Sequence, residues 1–450
     1  MRVMKWSMIA LAVSAGTSQF AIASSQDEAK GFIEDSTLTA KTRMMYMNRD
    51  FKSGVGNDRR ANGTNTTSDD GISGYRQDTG ISELLNYQSG FTQGTVGVGV
   101  DAMAMGSVKL DGGAGRAGNG LFGTNGAGEP ENTQSKAAAA VKLRLSDTVL
   151  KYGNQVVSSP VFTTDDGRLL PEIATGTLLT SNEIKGLELT AGRFTAMSGQ
   201  TGMARDSING RNTADGTYKP GLTAANIAGA TYSGLENFIF AVHASDIEDY
   251  WKKQYFNVNY TLPLSEKQSL NFDLNAYRSK DDGKKLAGNL DNKVWSLAAA
   301  YSIEAHKFTV AYQQSSGKTG YNYGVDGGGT VYVANSVQIS DFVGEDEKSW
   351  QARYDINMAS FGVPGLSFMT RYIRGSNVTV RDEDGTPGSD GTEHEWDLEA
   401  KYVLQEGPAK DLSFRLRNAI YRGSNADYRG TNYDNLNDLR LIVEYPLSIL

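Results

Sequence analysis

The 450-residue chain has no cysteine, so no disulfide can staple its fold. Its stability has to come from hydrogen bonds and packing alone. Histidine is nearly absent, at three residues, and no Gly-x-Ser-x-Gly stretch occurs. A metal-ligand cluster and a hydrolytic triad are therefore not expected, and neither is a cofactor. Long apolar runs are missing beyond the first two dozen residues, which excludes a membrane protein built of helices. Proline is scarce, at nine. Basic residues are outnumbered, 44 against 52 acidic, which argues against nucleic acid as a partner.

What is present begins with a secretory leader. Arg2 and Lys5 precede a short apolar stretch from Met8 to Ala15, and Ala21-Ile22-Ala23 is an A-x-A cleavage site. Residues 1–23 are expected to be a signal peptide. The mature chain would start at Ser24 with a net charge of −10, and residues 24–450 would form a single barrel domain. Fifty-one glycines and 22 tyrosines, with many Asn, Ser and Thr, suit short strands and turns. The mean hydropathy is that of a soluble protein. A transmembrane barrel shares that average, because only alternate residues face lipid.

Period-two alternation is the strongest signal. Val96, Val98, Val100, Ala102 and Ala104 share one face, as do Trp295, Leu297, Ala299 and Tyr301. Phe308, Val310 and Tyr312 oppose Lys307, Thr309 and Gln313. Trp350, Ala352, Tyr354 and Ile356 oppose Gln351, Arg353, Asp355 and Asn357. Trp396, Leu398, Ala400 and Tyr402 oppose Glu395, Asp397, Glu399 and Lys401. The last stretch places Leu439, Leu441, Val443, Tyr445, Leu447 and Ile449 on one face. A soluble sandwich also alternates, but its inner faces are more apolar than these. Aromatics bracketing the stripes and charge along whole polar faces favour an antiparallel barrel with a wet lumen. Short links such as Ser265 to Gln268 read as periplasmic. Long Gly/Asn/Asp-rich links at 52–79, 111–135, 317–330 and 375–393 read as extracellular.

Parity puts a set of cations on the polar side: Lys41 and Arg43, Lys142 and Arg144, Arg353, Arg371, Arg415 and Arg417, and Arg440. A lipid-facing arginine costs about 2–4 kcal/mol at the midplane, so these face water. Residues two apart on one face stand ~6.5–7 Å apart. That spacing suits handing a carboxylate from one guanidinium to the next. The bland alternative is that acids from neighbouring strands simply neutralise them. His243 falls on the polar face of its strand and reads as lumen filler. Gly113 to Gly118 fits G-x-G-x-x-G, but no helix pattern follows to receive a pyrophosphate. Asp382 to Gly385 resembles part of a calcium loop without its spaced ligands.

Several stretches stand out: Gly31-Phe-Ile-Glu-Asp-Ser36, Ser89-Gly-Phe-Thr-Gln-Gly-Thr-Val-Gly97, Gly167-Arg-Leu-Leu-Pro171, Glu347-Lys-Ser-Trp-Gln-Ala-Arg-Tyr-Asp355 and Gly407-Pro-Ala-Lys-Asp-Leu-Ser-Phe-Arg415. Together they resemble the OprD family of substrate-specific porins of Pseudomonas. The resemblance spans the whole mature chain. It implies an all-β outer-membrane barrel of about 18 strands, monomeric or loosely trimeric, with inward-folded constriction loops. It also implies a basic ladder that guides small carboxylate-bearing solutes. Basic amino acids or small peptides are favoured, and a sister branch takes aromatic and other organic acids. By the same resemblance Arg168 lies on the constriction loop and Asp341 supplies an acid at the narrow point. The chain departs from the family at residues 59–79, an Asn/Thr/Ser/Asp-rich insertion, and at Gly80 to Glu83, where the family has a tryptophan-containing strand start. An enzyme is not expected. The remote alternative is a barrel whose loops, or His243, do hydrolytic or surface-binding work.

Overall fold

In the computed structural model, residues 26–52, 74–203, 221–381, 386–424 and 435–450 are described. The leader (residues 1–23), residues 59–73 of the insertion and the Asp382 to Gly385 stretch lie outside them. Eighteen strands pair in one sheet. They are β1 (Thr37–Phe51), β2 (Tyr75–Gln88), β3 (Val96–Asp111), β4 (Thr133–Leu145), β5 (Thr148–Gln155) and β6 (Ile173–Ile184). Next come β7 (Leu187–Ser198), β8 (Ala225–Tyr232), β9 (Phe238–Ile247), β10 (Trp251–Ser265), β11 (Gln268–Asp281) and β12 (Asp291–Ile303). The last six are β13 (His306–Gly317), β14 (Lys348–Asn357), β15 (Leu366–Arg381), β16 (Pro387–Val403), β17 (Ser413–Gly423) and β18 (Leu436–Ser448). Each pairs antiparallel with its neighbours in sequence, and β18 returns to β1 from Thr39↔Ser448 to Phe51↔Leu436. The sheet is thus a closed barrel without free edges.

The alternation read from the sequence is the inside–outside alternation of this wall. Val98, Val141, Val310, Trp350 and Leu416 all point outward and are 41–62% exposed. So much apolar surface on most of the strands is stable only against lipid. Outward aromatics form two tiers. Trp295 with Tyr312 and Trp350 with Tyr372 make the upper one, at ring distances of 5.5 and 5.6 Å. Phe308 with Tyr354 contributes to the lower one at 5.1 Å.

Link lengths alternate as expected, since two-residue links join β4 to β5, β10 to β11 and β12 to β13 at one end. Three boundaries differ from the sequence reading. The β15–β16 hairpin runs through most of 375–393, because Gly/Asp-rich composition does not stop a strand whose neighbour supplies the ladder. The link predicted at 317–330 continues to residue 347, folded inward where its aromatics are buried. β2 begins at Tyr75, so residues 75–79 are strand and Gly80 sits within it.

Three links enter the barrel from the long-link end: 112–132, 156–172 and 318–347. Leu121, Phe122 and Leu169 pack on Met45 and Met47, inward residues of β1. Gly80 makes this possible. A Cβ there would stand 2.5 Å from both Leu169 Cδ1 and Phe122 Cζ. On the other side, Tyr255, Tyr277, Tyr321 and Val333 join one large buried cluster. Buried Lys253 meets buried Asp326 at 2.6 Å and faces the Tyr321 ring at 4.3 Å. The 318–347 link is anchored there.

Candidate functional site: the lumenal wall and its constriction

Register brings most of the predicted cations onto neighbouring strands. Across β14, β15, β16, β17, β18 and β1, one row of directly paired inward residues reads Arg353, Arg371, Asp397, Ala419, Asp438, Arg49. The row beneath reads Asp355, Met369, Glu399, Arg417, Arg440, Met47. Below that, Lys401 pairs with Arg415, and lower still Glu444 pairs with Arg43. Successive rows lie ~6.5–7 Å apart. Arg353, Arg371, Arg417, Arg440, Arg415 and Arg43 therefore descend one connected side of the lumen.

Acids hold most of these guanidinium planes. Arg371 meets Asp397 at 2.6 Å, Arg353 meets Asp355 at 2.7 Å, and Asp438 takes Arg440 at 2.6 Å and Arg49 at 3.0 Å. Arg43 reaches Glu444 at 2.7 Å and Asp166 at 2.8 Å. One step is under-compensated. Glu399 Oε2 serves both Arg415 Nη2 at 2.9 Å and Arg417 Nε at 3.2 Å. Two cations share one carboxylate: the Arg417 Nε contact is an ion pair without hydrogen-bond geometry, and the buried Arg415 Nε–H has no acceptor among the described residues.

The constriction loops bear on this wall. Asp166 accepts from Arg43 at 2.8 and 3.0 Å and from Lys41 at 3.0 Å. Burial alone would push the Asp166 carboxyl up, but these two cations hold it below the usual carboxylate range. Arg43 also donates to the Arg168 carbonyl. The Arg168 side chain donates to backbone carbonyls of Asn119 at 2.9 Å and Gly167 at 3.0 Å. Burial, then the charge of Arg440, pushes its guanidinium down to about 10. Loop 156–172 meets loop 318–347 at Glu172, whose Oε2 accepts from Gly328 N and Asp165 N at 2.9 Å each. Burial pushes the Glu172 carboxyl up to about 7. Asp341 is held by Ser336 Oγ at 2.6 Å and Tyr323 Oη at 2.7 Å. In the same loop Gln338 donates to Asp438 at 2.8 Å and accepts from Arg440 at 3.3 Å. Arg168 thus lies within reach of the Arg440 charge, and Asp341 belongs to the loop whose Gln338 contacts Arg440.

Lys142 and Arg144 are not brought together with the others. They lie on β4, where Lys142 pairs with Asp101 at 2.7 Å, and Arg144 donates to Gln26 at 2.7 Å and stacks over Phe91 at 4.3 Å. The N-terminal segment is seated against them: Gln26 is buried, and its amide bonds Thr92 O and Gly94 O. His243 falls on the inward face, 3.3 Å from Thr231 Oγ1. Gly113 to Gly118 stays a loop. No group of His, Cys, Asp and Glu suited to a metal occurs among the described residues.

Sequence reasoning missed Glu399 as a shared counter-ion, Glu172 as a loop clasp and Lys253–Asp326 as an anchor. Lys253 carried a usable signal. It shares parity with Trp251 and Tyr255, aromatics on the face that elsewhere is polar.

Residues 30–449 match the model of a family described as outer membrane porin, OprD family. The chain is 46% identical to Porin D of Pseudomonas aeruginosa, with all of both chains covered. It is 33% identical to the porin-like protein GalP of Pseudomonas putida, covering 96% of this chain and 97% of that one. The crystal structure of Pseudomonas aeruginosa OprD superposes with a TM-score of 0.76 at 41% identity, covering 96% and 100%. Acinetobacter baumannii OccAB1 gives 0.83 at 32%, covering 95% and 100%. Pseudomonas aeruginosa OpdK, solved with vanillate, gives 0.78 at 30%, covering 93% and 100%.

Proposed function

The chain belongs to the OprD family of outer-membrane porins, and from that premise we propose that it passes small carboxylate-bearing solutes selectively, amino acids with basic ones favoured or small peptides. The observation that carries this reading is the under-compensated step at Arg415, Arg417 and Glu399. A solute carboxylate entering there gains charge-assisted donors that the protein leaves unmatched. Arg440 beside it, Arg371 above it and Arg43 below it extend the path. Arg168 and Asp341 stand at its narrow point, where the acid would hold the amine of a zwitterion. Lys142 and Arg144 would act only at the periplasmic mouth.

Transport is passive in this reading, and residues 24–450 act as one barrel domain, monomeric or in a loose trimer. Liposome swelling with arginine, lysine and benzoate-like acids tests it. Arginine and lysine should enter fastest, and Arg415→Ala with Arg417→Ala should slow them several-fold. A benzoate preference would move the protein to organic acids, the chemistry of the OpdK–vanillate relative. Unchanged uptake in the double variant overturns the ladder. A hydrolytic role gains no support at His243, whose ring packs over Gly229 beside Tyr255.

A further inference from the structure

The outer face of the barrel carries a row of cations that pore function does not use. At the long-link end, the extracellular one in such barrels, Arg374 of β15 is directly paired with His394 of β16, and His394 with Arg422 of β17. All three share the outward parity of Tyr372, Trp396 and Ile420, their in-register neighbours one pleat step below. Strands ~4.8 Å apart put the three side chains within a span of ~10 Å. Lys348 of β14 joins from the side, two residues above Trp350, the partner of Arg374. Arg374 and Lys348 are exposed, and Arg374 and Arg422 flank His394 from the two neighbouring strands.

Like charges directly opposite each other in a sheet repel. Other pairs on the outer face show how this protein relieves such repulsion elsewhere. Lys252 pairs with Lys280 and Arg278 with Lys293, but Asp282 stands 3.0 Å from Lys252 and Asp291 stands 2.5 Å from Arg278. On β15–β17 no carboxylate takes that place among the described residues. Glu393 and Glu395 flank His394 in sequence but point inward, where they bind Ser340. Asp346 is turned to Thr379. Arg422 donates to the carbonyls of Tyr421 and Leu436 and to Asn437, which orient its plane without cancelling its charge.

We propose that Arg374, Arg422 and Lys348, with His394 between the guanidinium groups, form a binding site for the phosphate groups of an outer-leaflet lipid. The charge that no described carboxylate cancels lies at headgroup height, just above Trp350, Tyr372 and Trp396. The apolar face below continues the contact for acyl chains. Two guanidinium forks suit phosphate oxygens bidentately. A solute in water has no reason to stop on a lipid-facing wall, and a lipid is already there.

Native mass spectrometry of the purified full-length protein tests this, with bisphosphoryl lipid A and its fully dephosphorylated form as probes. The bisphosphoryl lipid should be retained and the dephosphorylated one lost. Arg374→Gln with Arg422→Gln should lower retention roughly tenfold, as expected for two lost charge-assisted contacts. Channel conductance should be unchanged, which reports an intact barrel. Lys267→Gln, at a turn on the opposite end, should retain lipid like the parent. If the glutamine pair fails to fold, Arg374→Lys with Arg422→Lys keeps charge, loses the planar fork and should still retain several-fold less. Equal retention of both lipids, or full retention in the folded variants, overturns the site. Displacement by inorganic phosphate alone overturns the lipid as its occupant.

Discussion

Glu172 stands where two constriction loops meet, and its protonation should be felt in the pore. Burial lifts its carboxyl from 4.5 to about 7, so the packed loops favour the neutral form. A raised carboxyl contributes stability that is fully present below the ordinary value and is lost as pH rises through the folded one. Single-channel records should therefore show more flicker as pH passes through about 7, and Glu172→Gln should flatten that dependence. A flicker that grows on acidification instead would reverse the sign and sink the argument. Gly80 makes a second test at this scale. Gly80→Leu would press on Leu169 and Phe122 and overpack the site by about 1–3 kcal/mol. Planar-bilayer conductance should rise as the two loops are pushed off β1. Conductance equal to the parent's would show that the loops absorb the side chain.

Each inward link is an element with its own anchor. For 318–347 the anchor is Lys253 with Asp326, both fully buried. Trp251 Nε1 also donates to that carboxylate at 3.2 Å. Lys253→Met leaves Asp326 charged and uncompensated, a cost of about 3–5 kcal/mol. The link should loosen, which limited proteolysis of the detergent-solubilised protein would detect as new cleavage between residues 318 and 347. Loop 112–132 is equally structural, because Asn119 donates to Met47 O and Gln134 to Leu121 O. Deleting residues 113–130 therefore removes part of the lumen lining rather than a free surface loop.

Across the whole molecule the outward face is a solvent match to hydrocarbon, and the closing β1–β18 pairing leaves no edge. Val141 points outward on β4 at 50% exposure. Val141→Arg should cost about 2–4 kcal/mol if it lies near the bilayer midplane, read as a lower denaturant midpoint by heat-modifiable gel migration. An unshifted midpoint would place Val141 outside the hydrocarbon band.

Local sequence determined the wall. Period-two alternation is a property of each strand by itself, so the apolar and polar faces follow from parity at Val98, Arg415 or Leu441 without any partner, while barrel class also needed the leader, the charged polar faces and the family resemblance. Strand boundaries were less legible where Gly and Asp mark both loops and paired strands, as at 375–393. The site was legible only as a list of inward cations. Which of them share a row is set by inter-strand register, and no single strand carries that. Hence Arg417 and Arg440 proved to be neighbours, while Arg144 was claimed by Gln26 and Phe91. The constriction was decided by long-range contacts: Asp166 on Arg43, Gly328 on Glu172, Asp326 on Lys253. Each joins residues more than 70 positions apart, a distance over which the chain imposes no pattern and only the closed barrel brings them together.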